Sequence, residues 1–96
     1  MNICMISGKI ISKIDFKFII NSHNKSIATF YMKLVDKNIV KVVSYNEMAD
    51  KVYSTLKQGQ YVIIEGRIKN EGIEDVIEIV YFEKITKLLE KQVKKC

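Results

Sequence analysis

Residues 37–72 have the sequence KNIVKVVSYNEMADKVYSTLKQGQYVIIEGRIKNEG, and their pattern predicts a strand, a helix and a second strand. The segment 39–45 is rich in β-branched residues, which favour strands. Asn46 is a favoured helix N-cap residue, and the apolar residues after it have helical spacing. Gly59 stands where a helix C-terminal cap is expected. Strand alternation returns from 60 to 69, so one short helix is predicted between two strands.

Alternation of apolar and polar residues predicts the other strands of the chain. In chain order they cover 1–14, 16–20 (a second segment or a continuation of the first), 26–35 and 76–85. Polar turns are predicted at 21–25, 36–38 and 70–72. Gly8 falls inside the first strand, where glycine indicates a bulge or a sharp bend.

The element order is therefore strand, strand, strand, helix, strand, strand. This is the order of the oligonucleotide/oligosaccharide-binding barrel, the OB-fold. We predict an all-β fold class with one short helix: a five-stranded OB-fold barrel, with its helix between the third and fourth strands. The OB-fold domain is expected to cover 1–88, followed by a basic C-terminal tail at 89–96. Apolar residues at Ile85, Leu88, Leu89 and Val93 fit a short C-terminal helix, and a frayed tail is the alternative.

Size and composition exclude several classes of protein. The chain has 96 residues, of which 48% are hydrophobic and 28% charged, as in one ordinary globular domain. No apolar run approaches the roughly 20 residues that span a membrane, and the first residues lack signal-peptide features. We therefore expect a cytoplasmic protein. Cys4 and Cys96 have no metal-ligand or redox spacing, and Cys4 is expected to be buried.

The charge balance is basic but does not identify a partner by itself. The formal net charge is +5, and Arg67 is the only arginine among 16 basic residues. A basic surplus favours polyanionic partners, including nucleic acid. Plain solubility is the alternative explanation, and composition does not decide between them.

Catalysis has little support in the sequence. His23 is the only histidine, falls in a predicted turn and has no partner at metal-ligand spacing. The acidic residues near the 70–72 turn are interpreted as a solvated hairpin, because few apolar neighbours would shift their pKa values. They are Glu71, Glu74, Asp75 and Glu78. Phosphate-loop and nucleophile-elbow motifs are missing, so we predict no enzyme activity, no metal and no cofactor.

Several segments, taken together and in order, resemble the bacterial single-stranded DNA-binding protein family. They are Met1-Asn2 with Gly8-Lys9-Ile10, Asp15-Phe16-Lys17-Phe18, Ile27-Ala28-Thr29-Phe30, Lys41-Val42-Val43-Ser44-Tyr45 with Met48-Ala49, Leu56-Lys57-Gln58-Gly59 with the segment 62–68, and Glu78-Ile79-Val80. The resemblance implies a non-enzymatic protein that binds single-stranded DNA without sequence preference, in replication, repair or recombination. It also implies a homo-oligomer, a dimer or tetramer, formed through the first strand. RNA is left open as a ligand.

The resemblance, combined with strand alternation, suggests where the DNA would bind. Bases stack on aromatic side chains, and phosphates are held by cations. Tyr45 is similar to the family's aromatic position, and Lys41 to its phosphate-contacting position. The predicted single-stranded DNA site comprises Tyr45, Lys41, Tyr31, Lys33, Ile39, Arg67, Lys69, Lys9 and Lys17. Alternatively, Tyr45 seals a barrel rim, and Arg67 and Lys69 belong to an ordinary solvated sheet face.

The chain also departs from the family pattern. It contains no tryptophan, the turns 36–38 and 70–72 are short, and it ends in Lys94-Lys95-Cys96. We expect no acidic tail for recruiting replication partners. These departures favour an alternative function, an OB-fold protein-interaction or assembly module of the primosomal accessory type, with little or no DNA binding. A secreted carbohydrate-binding OB subunit of the toxin type would need a signal peptide and an internal disulfide, and neither is indicated.

Overall fold

The computed structural model describes residues 3–20, 25–72, 74–85 and 94–95. Their secondary structure, in chain order, is β1 (Ile3–Ile10), β2 (Asp15–Ile19), β3 (Lys25–Leu34), β4 (Ile39–Tyr45), α1 (Asn46–Thr55), β5 (Tyr61–Glu71), β6 (Glu74–Ile85) and β7 (Lys94–Lys95). The predicted turn at 21–25 lies almost wholly outside the described residues, and so does most of the predicted C-terminal helix. The described part of the predicted basic tail is the short strand β7.

The strands form one sheet that closes on itself. Their order is β2-β3-β4-β6-β5-β1-β7, and a further pairing of β3 with β1 closes the sheet. Gly8 lies opposite Leu34 in that pairing, and Ile10 lies opposite Met32. β4 and β6 run parallel, whereas β5 runs antiparallel to both β6 and β1. The predicted all-β fold with one helix is therefore confirmed for the described residues.

The strand count differs from the prediction, because six strands and the two-residue β7 are found where five were expected. The predicted first strand is divided into β1 and β2, which both pair with β3. Between them, the Tyr31 amide donates a 2.8 Å hydrogen bond to Ser12 Oγ. The Ile11 amide donates a 2.9 Å bond to the Tyr31 carbonyl. The chain thus stays attached to β3 while its ladder is interrupted.

The closed sheet encloses the apolar core. The inner face of β3 carries Ala28, Phe30 and Met32, all buried, while the residues between them are more exposed. Ala49 and Val52 of α1, followed by Leu56, add to the same core. Cys4 is also buried, as predicted. This alternation leaves the outer faces of the strands available for a ligand. No helix in the described ranges is long and apolar enough to cross a membrane.

The ends of α1 differ from the prediction. α1 begins at Asn46, so Tyr45 is the N-cap residue, and its side chain makes no capping hydrogen bond. Asn46 has a φ of 55°, in the left-handed region. The helix ends at Thr55, before the expected Gly59 cap. Gly59 instead has a φ of 96° in the turn before β5, where its amide donates to the Ile10 carbonyl at 2.8 Å. Both capping predictions were wrong: α1 begins with Asn46 rather than after it, and Gly59 lies in the turn that leads into β5.

Two glycines allow close contact between strands. A Cβ on Gly8 would lie 2.2 Å from the Lys33 carbonyl oxygen, so this position of the β1–β3 seam requires glycine. A Cβ on Gly66 would lie 2.6 Å from the Glu78 carbonyl oxygen. The register shift of the β5–β6 pair falls between Glu65 and Gly66. The close approach of the strands at Gly8 thus allows the sheet to close, and the register shift of the β5–β6 pair occurs next to Gly66.

Candidate nucleic-acid interface

The outer face of β3 and β4 carries several of the predicted site residues in neighbouring rows. Tyr31 lies opposite Lys41, and Lys33 lies opposite Ile39. Tyr31 and Ile39 are both exposed, whereas Phe30 and Met32, which flank Tyr31, are buried. The alternation inferred from the sequence therefore assigns these four side chains to the correct side of the sheet.

Lys17, Lys41 and Tyr45 line one groove on this face. The groove has a volume of about 280 Å³ and is completed by Asp15, Ile27, Thr29 and Val43. Lys17 pairs across β2–β3 with Ile27, which pairs in turn with Tyr45 on β4. Val43 is only 3% exposed, so it forms an apolar floor between the charged side chains. We call this surface the Tyr45 groove.

Two ammonium groups lie close to the Tyr45 ring. Lys69 Nζ is 5.0 Å from the ring centroid, and Lys25 Nζ is 5.4 Å from it. Both distances fall within the range of cation–π attraction. Lys69 was predicted as part of the site, whereas Lys25 was assigned to a turn. Strand β3 begins at Lys25, and this early start brings the residue to Tyr45.

Carboxylates accompany the lysines of this surface. Lys17 Nζ lies 3.9 Å from Asp15 Oδ2, and Lys41 Nζ lies 3.9 Å from Glu74 Oε1. Lys69 Nζ lies 3.6 Å from Glu78 Oε1. Sequence reasoning missed both glutamates, because the parallel β4–β6 pairing that brings them here has no local signal. Arg67 lies opposite Glu78 in the β5–β6 pair, so it borders this compensated region.

A second groove forms where β1 meets β3 and β5. Lys9 lies opposite Lys33 across the β1–β3 seam, and opposite Tyr61 across the β1–β5 pair. These three residues line a groove of about 210 Å³ together with Gly8, Leu34 and Val35. Tyr61 was not among the predicted site residues. We call this surface the Tyr61 groove.

The predicted residues are thus distributed over one continuous outer surface. Tyr31 follows Thr29 of the Tyr45 groove and precedes Lys33 of the Tyr61 groove on the same face of β3. This arrangement offers aromatic rings and cations along a path between the two grooves, which is the chemistry that single-stranded nucleic acid requires.

Other aromatic residues lie outside both grooves. Tyr53 of α1 is 56% exposed, and its ring stacks on Phe16 of β2 with 4.6 Å between centroids. The Tyr81 hydroxyl donates a 2.7 Å hydrogen bond to Glu83 Oε1. This hydrogen bond and the negative charge of Glu83 raise the pKa of Tyr81. Within the described ranges, no three His, Cys, Asp or Glu side chains come together as a metal site.

Comparison with solved structures identifies the architecture. A single-stranded DNA binding protein from Thermus aquaticus matches with a TM-score of 0.81 and 15% identity, over 95% of this chain and 43% of that one. The chain has an OB-fold like those of single-stranded DNA-binding proteins. This OB-fold chain spans less than half of the Thermus aquaticus protein.

Two further structures support the same assignment of the OB-fold. The second OB-fold domain of replication protein A from Methanococcus maripaludis matches with a TM-score of 0.71 and 19% identity, over 90% of this chain and 86% of that one. The SSB domain of a Synechococcus sp. protein matches with a TM-score of 0.69 and 18% identity, over 82% of this chain and 88% of that one. No protein-family model matches the chain, and no curated protein matches it in sequence.

Proposed function

We propose that this OB-fold protein binds single-stranded DNA without sequence preference, as a non-enzymatic factor in replication, repair or recombination. The observation that carries the proposal is the Tyr45 groove, in which an aromatic ring and two lysines surround an apolar floor. Bases would stack on Tyr45, with Tyr31 as a second ring, while Lys17 and Lys41 contact phosphates. The proposal assigns the protein to the cytoplasm, where these processes expose single strands.

The remaining predicted residues extend this path. Lys33 and Lys9 would contact phosphates in the Tyr61 groove, and Ile39 would pack against a base or sugar. Arg67 and Lys69 on β5 would contact further phosphates. One stacked base contributes about 1–3 kcal/mol, so two or three tyrosines support only modest affinity per chain. Sequence preference is not expected from stacking and phosphate contacts. RNA presents the same groups and is an alternative ligand.

Assembly of several copies would raise the affinity for a long strand. We propose a homo-oligomer, a dimer or tetramer, that forms through β1. One edge of β1 pairs with β5, and at the other edge Met5 and Ile6 pair with β7. A second copy that adds to this edge would have to displace β7, which pairs with β1 through only two residues.

The alternative is an OB-fold interaction module of the primosomal accessory type. The observation in its favour is the exposed apolar end of β2. Phe18 is 54% exposed, Ile19 41% and Ile20 80%, a cluster suited to contact with another protein. Replication partners recruited through an acidic tail are not part of either proposal.

The first test is fluorescence anisotropy of labelled oligo-dT, titrated with the protein over a series of salt concentrations. We expect binding that weakens with salt. Tyr45→Ala should weaken it by roughly 5- to 150-fold, the equivalent of about 1–3 kcal/mol per stacked base. Lys41→Gln should lower the slope of log affinity against log salt by about 0.7, because one phosphate contact to a single strand is lost.

Two matched variants control this experiment. Tyr45→Phe keeps the ring and should retain most of the affinity. Tyr81→Ala removes an exposed tyrosine that lines neither groove and should bind like the unmodified protein. Equal losses in Tyr45→Ala and Tyr81→Ala would contradict the assigned site. Absence of binding even at low salt would favour the interaction module.

A further inference from the structure

Lys69 links a carboxylate of β6 to the proposed stacking ring of β4. Its Nζ lies 3.6 Å from Glu78 Oε1 and 5.0 Å from the centroid of Tyr45. The side chains of Lys69 and Glu78 are 41% and 29% exposed. The Lys69 ammonium group therefore lies beside the Glu78 carboxylate and, at the same time, close to the Tyr45 ring on which a base would stack.

The sheet topology places Glu78 at this position. Glu78 pairs with Val43 in the parallel β4–β6 ladder, and with Arg67 in the antiparallel β5–β6 ladder. It thus stands between the strand of Tyr45 and the strand of Lys69. Glu74, four residues earlier on β6, also has its carboxylate close to a lysine, 3.9 Å from Lys41 Nζ. Successive outward-facing glutamates of β6 therefore accompany two lysines that face the path.

We propose that Glu78 is an affinity-limiting residue for single-stranded nucleic acid, and that it acts by holding Lys69 over Tyr45. This inference rests on the proposed function. On binding, Lys69 exchanges its contact with the Glu78 carboxylate for a contact with a phosphate. At the same time, a stacked base replaces the Lys69 ammonium group beside the Tyr45 ring. Glu74 acts on Lys41 in the same way. Both glutamates thus position lysines and need not touch the ligand.

The size of the effect follows from the exposure of the pair. Partly exposed ion pairs contribute little free energy, so loss of the Lys69–Glu78 contact on binding should lower the affinity for nucleic acid by up to about fivefold. Glu78→Gln keeps the size of the side chain and removes the charge. It should tighten binding by up to that factor. The slope of log affinity against log salt should change little, because Lys69 contacts a phosphate in the bound state of both proteins.

A double-mutant cycle tests whether Glu78 acts through Lys69. Affinity for oligo-dT is measured for the unmodified protein, Glu78→Gln, Lys69→Gln and the combined variant. Comparison of the combined variant with Lys69→Gln should show that most of the gain is lost. Asp50→Asn is the matched control, since it makes the same change in net charge on the exposed side of α1, away from both grooves.

The outcomes separate this inference from the proposed function. A gain in Glu78→Gln no larger than in Asp50→Asn would overturn the inference, while the proposed function would still stand on the losses in Tyr45→Ala. A full gain that persists in the combined variant would also overturn it, because Glu78 would then repel phosphate directly. Failure of the unmodified protein to bind would refute both.

Discussion

The Tyr45 groove and the Tyr61 groove lie on the same closed sheet, yet their lysines have different surroundings. In the Tyr45 groove, Lys17 and Lys41 each lie 3.9 Å from a carboxylate oxygen. In the Tyr61 groove, Lys9 and Lys33 lie opposite each other, and none of the described residues that line it is acidic. Like charges directly opposite each other destabilise a sheet.

This difference separates two ways of presenting a cation to a ligand. A phosphate entering the Tyr45 groove competes with protein carboxylates for the lysines. A phosphate entering the Tyr61 groove would instead relieve a repulsion that folding imposes. The first groove offers the Tyr45 ring with two lysines that lie near carboxylates, and the second offers the Tyr61 ring with two lysines that lie opposite each other. Binding should therefore draw on both, and variants can separate their contributions.

The largest expected effect is that of Gly8→Ala at the seam that forms the Tyr61 groove. The added Cβ would lie 2.2 Å from the Lys33 carbonyl oxygen, so β1 and β3 would have to separate there. We expect a loss of about 1–3 kcal/mol in the free energy of unfolding, as for other overpacked sites. Chemical denaturation measures this loss. Oligo-dT affinity should fall as well, because Lys9 and Lys33 would move apart.

Gly72→Ala is the matched control for this variant. Gly72 has a φ of 65°, and apart from its chain neighbours no atom of the described residues lies within 4 Å of the added Cβ. Backbone strain should therefore cost roughly 1–2 kcal/mol, while both grooves stay intact. If Gly8→Ala binds oligo-dT like Gly72→Ala, the seam does not contribute to the nucleic-acid surface.

A smaller effect, opposite in sign for stability and for binding, is expected from Lys33→Gln. Removing one of two facing lysines should raise the free energy of unfolding by roughly 0.2–1 kcal/mol. The same change should weaken oligo-dT binding and lower its salt slope by about 0.7. Lys17→Gln is the contrasting variant in the Tyr45 groove. It removes a lysine that faces Asp15, so no gain in stability is expected.

Denaturation and salt titration of these two variants would test the comparison directly. Lys9→Gln should behave like Lys33→Gln, and the double variant should gain less stability than the sum of the single ones, since one repulsion is removed in each case. Equal stability changes in Lys17→Gln and Lys33→Gln would show that the surroundings of the lysines do not matter.

The sequence was sufficient for the parts of the fold that depend on local periodicity. Alternation assigned Tyr31 and Lys41 to the outer face and Phe30 to the core, because side chains of a strand point to opposite sides in turn. The order of the elements indicated the closed sheet. Helical spacing places Tyr53 on the apolar stripe of α1, yet Tyr53 is exposed and stacks on Phe16, because spacing alone does not reveal what the edge of the helix covers.

The missed parts of the candidate site depend on contacts between distant segments. Tyr61 joins Lys9 only because β1 pairs with β5, and Glu78 comes beside Val43 of the Tyr45 groove only through the parallel β4–β6 pair. No local pattern predicts which strand lies beside another. The cap assignment of Gly59 failed for a related reason, because its amide bonds to the Ile10 carbonyl of the distant strand β1.

The smallest effect on stability is expected from deletion of residues 94–96, at the opposite end of β1 from the Tyr61 groove. The deletion removes the pairing of β7 with Met5 and Ile6, which involves two residues of each strand. Exposed strand edges tend to pair with another chain. We therefore expect little loss of stability but greater self-association, measured as the mass by light scattering over a range of concentrations.

The double variant Lys94→Gln, Lys95→Gln is the control, since it removes both charges and keeps the backbone. An unchanged mass of the truncated chain at every concentration would exclude this edge as the site of assembly, and any avidity for long strands would then have to arise elsewhere on the sheet.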